Sequence, residues 1–576
     1  MTGRSLLLLF AAIAPLGACV TAPRPVAASS AVEVQILAIN DFHGNLEPPK
    51  TAIDAAAPDG NPVLVPAGGV ASLATAAKML RAGKPHTVTV SAGDMIGASP
   101  LISALFLDEP TIAAMEEVGV NYHAVGNHEF DRGADELLRV ARGGCAKHTS
   151  RQPCSVEPFD GANFTFLAAN VLTANGSPLF PATGITDFGP LQVGFIGMTL
   201  KDTATLVSPS AVAGLTFTDE VAAANAAVPA LKAAGVDAIV VVLHQGGGTT
   251  GGYNDKSCPG LSGEIVPIID RLDPAIDVLV SGHTHNAYVC EVDGAGRARP
   301  LLLTSAGRYG TLVSDIRLTF GPDGTLRTAA ANNVIVQGEG YSTTAADVPV
   351  VAGFPVFLPD PATKAIVDRY AAAAAPQAAR IVGRLNGAVT RAPKDREQSA
   401  GNLIADAQLA AGRAHGAQIA FMNAGGVRTD LVPAADGSVT FGQVFAMQPF
   451  GNSLVVKTLI GAQLRALLEQ QFASGANSVE LPNLLLPSSG FFFAYDLSRP
   501  TGDKIVEMRL DGATIQPARE YRVIVNTFIA SGGDNFTVLQ GGSYAVGAGQ
   551  DLDALEAWLK TGPEAPKLGR MENRTP

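Results

Sequence analysis

The chain has 576 residues, 47% of them hydrophobic and 16% charged, enough apolar material for more than one core and too long for one ordinary domain. A net charge of −12 excludes the broad basic footprint of a nucleic-acid-polymer binder, although a local metal or arginine cluster still suits small phosphorylated substrates. In chain order, the first element is Arg4, the apolar stretch Leu6 to Ala14, and Leu16-Gly17-Ala18-Cys19, the pattern of a secretory signal. That run is too short to span a bilayer, and no second run of about 20 apolar residues follows, so no transmembrane helix is expected.

The Leu-Gly-Ala-Cys ending resembles a bacterial lipobox, which implies that Cys19 is lipidated and becomes the first mature residue; a soluble exported protein cut nearby is the alternative reading. Of the five cysteines, the remaining Cys145, Cys154, Cys258 and Cys290 form an even set in a chain that looks exported, which favours two disulfides. Of the three connectivities, the sequence-adjacent pairs are expected, Cys145 with Cys154 and Cys258 with Cys290. Four free buried thiols are the alternative, and without a CxxC pair a zinc cluster is disfavoured.

From Val32 to about Phe320, β-branched runs alternate with alanine- and leucine-rich stretches of helical length, as in VEVQILAIN, GGVASLATAAKML and HTVTVSAGD, so residues 32–340 read as an α/β domain. Between 341 and 380 the composition turns proline- and valine-rich, and Asp360-Pro361 reads as an N-cap followed by proline at the first helical position, predicting a linker helix to about Ala375. Residues 381–576 hold a further alternating set, AGNLIADAQLAAG, AQIAFMN, GAQLRALLEQQF and YRVIVNTF, and read as a second α/β or α+β domain.

Five polar groups in the first domain share a position, at or just past the end of a strand-like run: Asp41-Phe42-His43, Gly93-Asp94, Asn127-His128, His244, and His283-Thr284-His285. Singly, His244 reads as a structural histidine and Asp94 as a turn aspartate. Five such endings together point to convergence, because the ligand crevice of an open α/β sheet lies at the carboxyl ends of its strands. In extended segments residues i and i+2 point the same way, so Asp41 with His43 and His283 with His285 are each expected to aim a pair of ligands inward. Carboxylate, imidazole and carboxamide without thiolate suit a dinuclear site of zinc, manganese or similar divalent ions. Two such ions about 3.5–4 Å apart need a bridging group, and Asp94 is the natural one.

With these motifs in order, DFHGNLEP at Asp41, SAGDMIGASP at Ser91, GNHEFDRG at Gly126, LHQGG at Leu243 and SGHTH at Ser281, the chain resembles the calcineurin-like dinuclear metallophosphoesterases. With NAGGVRTDL at Asn423, PFGNSL at Pro449 and SGGDNF at Ser531, it is more closely similar to the exported bacterial 5'-nucleotidases. The resemblance implies a metallophosphoesterase β-sandwich flanked by helices, the linker helix, and a C-terminal α/β substrate-binding domain. It implies one ion held by Asp41, His43, Asp94 and His285 and a second by Asp94, Asn127, His244 and His283. It makes His128 the transition-state histidine paired with Asp131, and leaves Glu129 with no role beyond local structure. In the second domain it implies a nucleobase between Phe450 and Phe528, phosphate on Arg428, the base or its neighbour on Asn423, and ribose hydroxyls on Asp534. A further basic group is carried by Arg391, Lys394 or Arg396 in TRAPKDRE, where this chain departs from the family pattern.

The expectation is an exported, periplasmic or cell-envelope hydrolase, lipid-anchored through Cys19, that releases phosphate from nucleoside monophosphates with water activated at two divalent ions. The partners expected are a nucleotide and, through the anchor alone, a membrane, with no nucleic-acid polymer. Alternatives are a 2',3'-cyclic-nucleotide 2'-phosphodiesterase with 3'-nucleotidase activity, a UDP-sugar hydrolase, and a non-catalytic nucleotide-binding protein.

Overall fold

The computed structural model describes residues 31–149, 151–207, 210–342, 347–541 and 543–576. The signal and Cys19 lie outside the described residues. Two six-stranded sheets face each other in the first part of the chain. One runs Leu326–Ile335, Leu312–Phe320, Val32–Ile39, Thr87–Ala92, Tyr122–Ala124, Thr165–Leu167; the other runs Ala287–Val292, Leu301–Ala306, Val278–Ser281, Ala238–His244, Gln192–Thr199, Thr183–Asp187. Strands buried on both faces read as near-continuous apolar runs, and AIVVVLH, with every residue of Ala238–His244 buried, is such a strand.

The layer between the sheets is filled by Ile36, Val88, Val90, Phe195, Val240, Val242 and Val280. Their outer faces are covered by the helices Val70–Arg81 and Glu109–Val118 on one side and Glu220–Ala234 on the other. Four consecutive strands of each sheet are mutually parallel, Val32–Ile39 through Thr165–Leu167 in the first and Leu301–Ala306 through Gln192–Thr199 in the second. Their carboxyl ends therefore open on one edge, the edge where the polar groups lie.

The linker helix runs Pro361–Ala378, with Asp360 accepting from Thr363 N at 3.0 Å. It runs three residues past the predicted end and includes Pro376, whose missing N–H leaves one i→i−4 bond unmade. It packs against Phe106 through Tyr370, with ring centroids 5.1 Å apart.

The second part has a five-stranded sheet in the order Leu485–Pro487, Ile419–Asn423, Glu520–Asn526, Ser453–Ile460, Ser543–Gln550. The helices Ser399–Gly412 and Asp551–Leu559 cover one face and Gly461–Glu469 the other. This is the two-domain α/β architecture that the motifs imply. Among the described residues no helix is long and apolar enough to cross a membrane.

Candidate active site

Asp41, His43, Asp94, Asn127 and His244 are all nearly fully buried at the shared strand edge, and their donor atoms face one another. His244 Nε2 lies 3.0 Å and His43 Nε2 3.7 Å from Asp94 Oδ2, and His285 Nε2 lies 3.3 Å from Asp41 Oδ1. Three groups of side chains each hold their donors within one ion's reach: Asp41 with His43 and His285, Asp94 with His244 and His283, and His43 with Asp94 and His128. Asp94 occurs in two of them.

The backbone that delivers these side chains is not extended. Asp41, His43, Asp94, His283 and His285 all adopt positive φ, between 48° and 68°, so the expected i, i+2 alternation is replaced by left-handed turns. Backbone bonds enforce the turns: Asp41 N–H donates to Gly93 O at 3.0 Å, His43 N–H to Asp94 O at 2.9 Å, and Gly44 N–H to Met95 O at 3.0 Å. The two loops zip together by main chain, and the side chains leave the zipper pointing inward. Glycine is required where they meet, since a Cβ on Gly93 would collide with the His244 ring.

The donor set fits divalent cations. His43 Nδ1 lies 2.9 Å from Gly97 O and His244 Nδ1 lies 2.8 Å from Ala92 O; donation there fixes the tautomer and turns each Nε2 lone pair inward, as in metal-ligating histidines generally. Asn127 Oδ1 is buried with no hydrogen-bond partner, an arrangement rare in proteins unless a ligand completes it. Burial opposes charge on His244, yet Asp94 and Asp41 raise it to about 10. Burial and the neighbouring His244 push His283 down to about 3. Carboxylates that draw a proton onto a buried imidazole are carboxylates whose charge a cation would satisfy.

His128 donates its backbone N–H to Asp94 Oδ1 at 2.9 Å, and its Nδ1 lies 2.8 Å from Asp131 Oδ2. Burial disfavours the imidazolium, but Asp131 and Asp94 raise its pKa above the usual histidine value. Glu129 has more than a local role. Its Oε2 accepts from Asp94 N at 3.0 Å and Gly126 N at 2.5 Å, and its Oε1 from Met95 N at 2.8 Å and Ile96 N at 3.2 Å. His123 Nε2 stands 3.3 Å away. Burial works against this carboxylate, but His123 and the backbone donor Gly126 hold its pKa below the usual range. One buried side chain thus ties the Asp94 loop to the Asn127 loop, a function invisible in sequence because its partners are backbone groups.

A cavity of about 370 Å³ opens beside the histidines, lined by His128, Asp131, His283 and His285 from the first part of the chain and by Arg391, Lys394, Asn423, Arg428, Phe450, Phe528 and Asp534 from the second. Arg396, expected as an alternative basic group, does not line it. Phe450 stacks on His128, centroids 5.9 Å apart at 19°, and the Arg428 guanidinium lies 5.7 Å over the same Phe450 ring. Asn423 Nδ2 donates to Asp534 Oδ2 at 2.8 Å, and Asn526 Nδ2 donates to Asn423 Oδ1 at 3.0 Å.

The turn carrying Phe450 is anchored by Asp551, which the motifs do not include. Asp551 Oδ2 accepts from Asn452 N at 3.1 Å, and Asp551 N donates to Asn452 O at 2.9 Å. Away from the cavity, Cys145 is joined to Cys154 and Cys258 to Cys290, with Cα atoms 5.5 and 5.3 Å apart.

Residues 34–287 match the family model for calcineurin-like phosphoesterases, and residues 377–541 match that for the 5'-nucleotidase C-terminal domain. The chain is 31% identical over 563 residues to Endonuclease YhcR of Bacillus subtilis, covering 95% of this chain but 42% of that longer protein. It is 28% identical over 572 residues to the Cell wall protein Lmo0130 of Listeria monocytogenes, covering 94% of this chain and 69% of the relative. Among solved structures, the 5'-nucleotidase precursor from Thermus thermophilus superposes with a TM-score of 0.73 at 27% identity, over 94% of this chain and all of that one. Two matched models in the order the fold presents them, over a site with the donor set for divalent ions, lead to one assignment: this chain belongs to the calcineurin-like phosphoesterases that carry a 5'-nucleotidase C-terminal domain, and it is a metal-dependent phosphoric ester hydrolase.

Proposed function

We propose that this protein is an exported 5'-nucleotidase that releases phosphate from nucleoside monophosphates. The observation that carries the reading is the shared cavity, in which His128 of one domain meets Phe450, Phe528 and Arg428 of the other. A phosphoryl group beside the histidines and a base between the two phenylalanines fit that order. The domains are taken as 32–340 and 381–576, joined by 341–380.

Asp41, His43, Asp94 and His285 would hold one ion, and Asp94, Asn127, His244 and His283 the other. Bound there, divalent ions would acidify water and neutralise phosphoryl charge. His128, kept protonated by Asp131, donates to the oxygen on which charge builds, the kind of preorganised contact that usually dominates catalysis. Asp131 fixes the ring. Arg428, with Arg391 and Lys394, orients the phosphoryl group, and Asp534, steadied by Asn423, offers a carboxylate oxygen to ribose hydroxyls.

Export is supported by the signal-like first eighteen residues and by the cell-wall and precursor names of the relatives. Replacing Cys19 with Ser is expected to move the mature protein from the membrane to the soluble fraction; wild type that is wholly soluble would remove the anchor. A second reading, action on a phosphodiester, is favoured by the relative named as an endonuclease. Product analysis of metal-loaded protein separates these readings: inorganic phosphate with adenosine from AMP, UMP with glucose 1-phosphate from UDP-glucose, and 3'-AMP from 2',3'-cAMP. Turnover of AMP well above the other two is expected, and preference for the cyclic diester would replace the nucleotidase reading.

A further inference from the structure

Arg132 follows Asp131 directly in GNHEFDRG, yet it does not line the cavity beside His128. Its Nη1 donates instead to Asp108 Oδ2 at 2.5 Å. Asp108 is fully buried, and its Oδ1 accepts from Ser103 Oγ at 2.6 Å. Ser103 spends its one hydroxyl hydrogen there, so Thr111 Oγ1, 2.6 Å away, donates to Ser103 in turn. Burial opposes charge on Asp108, but the Arg132 guanidinium and the Ser103 hydroxyl hold its pKa below the usual carboxylate range. The local chain forgoes comfort to place this carboxylate. Asp108 directly precedes the helix Glu109–Val118, where an aspartate ordinarily accepts from the helix's first free N–H groups, and its side chain makes no such bond. Leu107 and Asp108 also stand at φ 58° and 63°, two successive left-handed residues without a glycine, a conformation that persists only where the surroundings over-determine it.

The pair grips the far end of the turn that carries His128 and Asp131. Phe130 N–H donates to Asn127 O at 3.1 Å, Asp131 N–H to His128 O at 3.2 Å and Gly133 N–H to Phe130 O at 2.9 Å, which makes one tight turn. Its beginning is held by His128 N–H on Asp94 Oδ1, and its middle by the Glu129 carboxylate. Beyond Asp131 the chain reaches Gly133 at φ 91°, where a Cβ would meet nothing closer than 3.8 Å, so no close packing restrains that side. Arg132 is the side-chain anchor between Asp131 and this loose point.

We infer that Arg132, tethered to the buried Asp108, is a positioning residue for the hydrolysis: the tether fixes the end of the turn and so keeps the Asp131 carboxylate against His128 Nδ1, 2.8 Å away. The inference rests on the role given above to His128 and Asp131, and it is independent of which phosphoric ester is cleaved. A group that acts by holding another in place shows itself in turnover rather than in binding, because a misplacement of about 1 Å can cost about a hundredfold in rate. Removing one member of a buried ion pair leaves the other charge without its partner. Asp108→Asn combined with Arg132→Met removes the tether and leaves no such charge behind.

The test measures kcat and KM for p-nitrophenyl phosphate, with metal content, on full-length, metal-loaded protein. The tether is removed in two backgrounds, wild type and Asp131→Asn, because a double-mutant cycle separates an effect that passes through Asp131 from one that does not. In the wild-type background the Asp108→Asn, Arg132→Met protein is expected to lose about tenfold in kcat, with KM within about twofold and both ions retained. In the Asp131→Asn background the same change is expected to cost less than about twofold, since the carboxylate that the tether positions is already gone. Arg132→Lys keeps the charge but not the planar fork, and it carries the same comparison where the double variant does not fold: about threefold in wild type and no further loss in Asp131→Asn. Equal losses in the two backgrounds, or an undiminished kcat without the tether, would overturn the positioning role alone. Asp131→Asn that turns over as fast as wild type would overturn the reading of His128 and Asp131, and the tether with it.

Discussion

On the metal side of the cavity, Asp94 and Glu129 are 1% and 3% exposed, and four N–H donors from two loops converge on the single Glu129 carboxylate. On the nucleotide side, Phe450 and Phe528 are half-buried, and the turn carrying Phe450 is fastened through Asp551. The first wall is fixed by a dense set of buried hydrogen bonds, and the second by packing and a few ties. The difference suits the two proposed tasks, metal-side electrostatics and base stacking. Electrostatic stabilisation works best when nothing must reorganise at the moment of reaction, whereas stacking tolerates every base and needs only a flat ring in roughly the right place.

The comparison breaks first at Asp94. Asp94→Asn removes a ligand shared by both proposed ions, so activity is expected to fall by more than the roughly 10²–10⁴ of a lost acid–base group, with metal content falling in the same sample. Two tightly retained ions would remove the bridging role. His128→Ala is expected to keep both ions and slow turnover by roughly 10²–10⁴; full activity would take it out of the mechanism.

Glu129→Gln exchanges one acceptor oxygen for a donor that faces two N–H groups. Metal affinity is expected to weaken about 10- to 100-fold, the usual cost of disturbing the groups behind a ligand, with circular dichroism unchanged. An unaltered affinity would show that the wall does not depend on this clasp.

On the other wall, Phe528→Ala is expected to lower kcat/KM for AMP about ten- to a hundredfold, from roughly 1–3 kcal/mol of stacking per base, while p-nitrophenyl phosphate turnover stays nearly constant. Equal losses for both substrates would make Phe528 a packing residue only.

The smallest effect concerns stability. Burial pushes Asp551 up to about 7, so between the ordinary carboxylate pKa and about 7 the folded state holds a proton that the unfolded state has released. Stability from this group is therefore highest at low pH and declines as pH rises toward 7, then levels off. Asp551→Asn should remove that decline, seen as a Tm difference of a few degrees between pH 5 and 7.5 in wild type that shrinks in the variant. An unchanged pH slope would contradict it.

The sequence showed where chemistry sits better than how it is held. Asp41, Asp94, Asn127, His244 and His283 were legible because strand ends in an α/β sheet share an edge, whatever the turns between them do. The turns themselves were not: left-handed Asp41 and His43 look extended in a string of letters, and only the main-chain zipper to Gly93, Asp94 and Met95 reveals otherwise. Glu129 was invisible for the same reason, since its partners are amides of residues more than thirty positions away as well as Gly126 nearby. Asp551 lies outside any motif, and its neighbours are set by tertiary packing alone.

The Glu129 clasp also bears on supply. It shapes the Asp94 and Asn127 loops through four backbone N–H groups and through none of the inward-facing donor atoms, and carboxylate, imidazole and carboxamide donors are acceptable to several divalent ions. On the proposed two-ion reading, protein reloaded with different divalent ions is expected to differ in rate while the clasp that holds the loops stays the same.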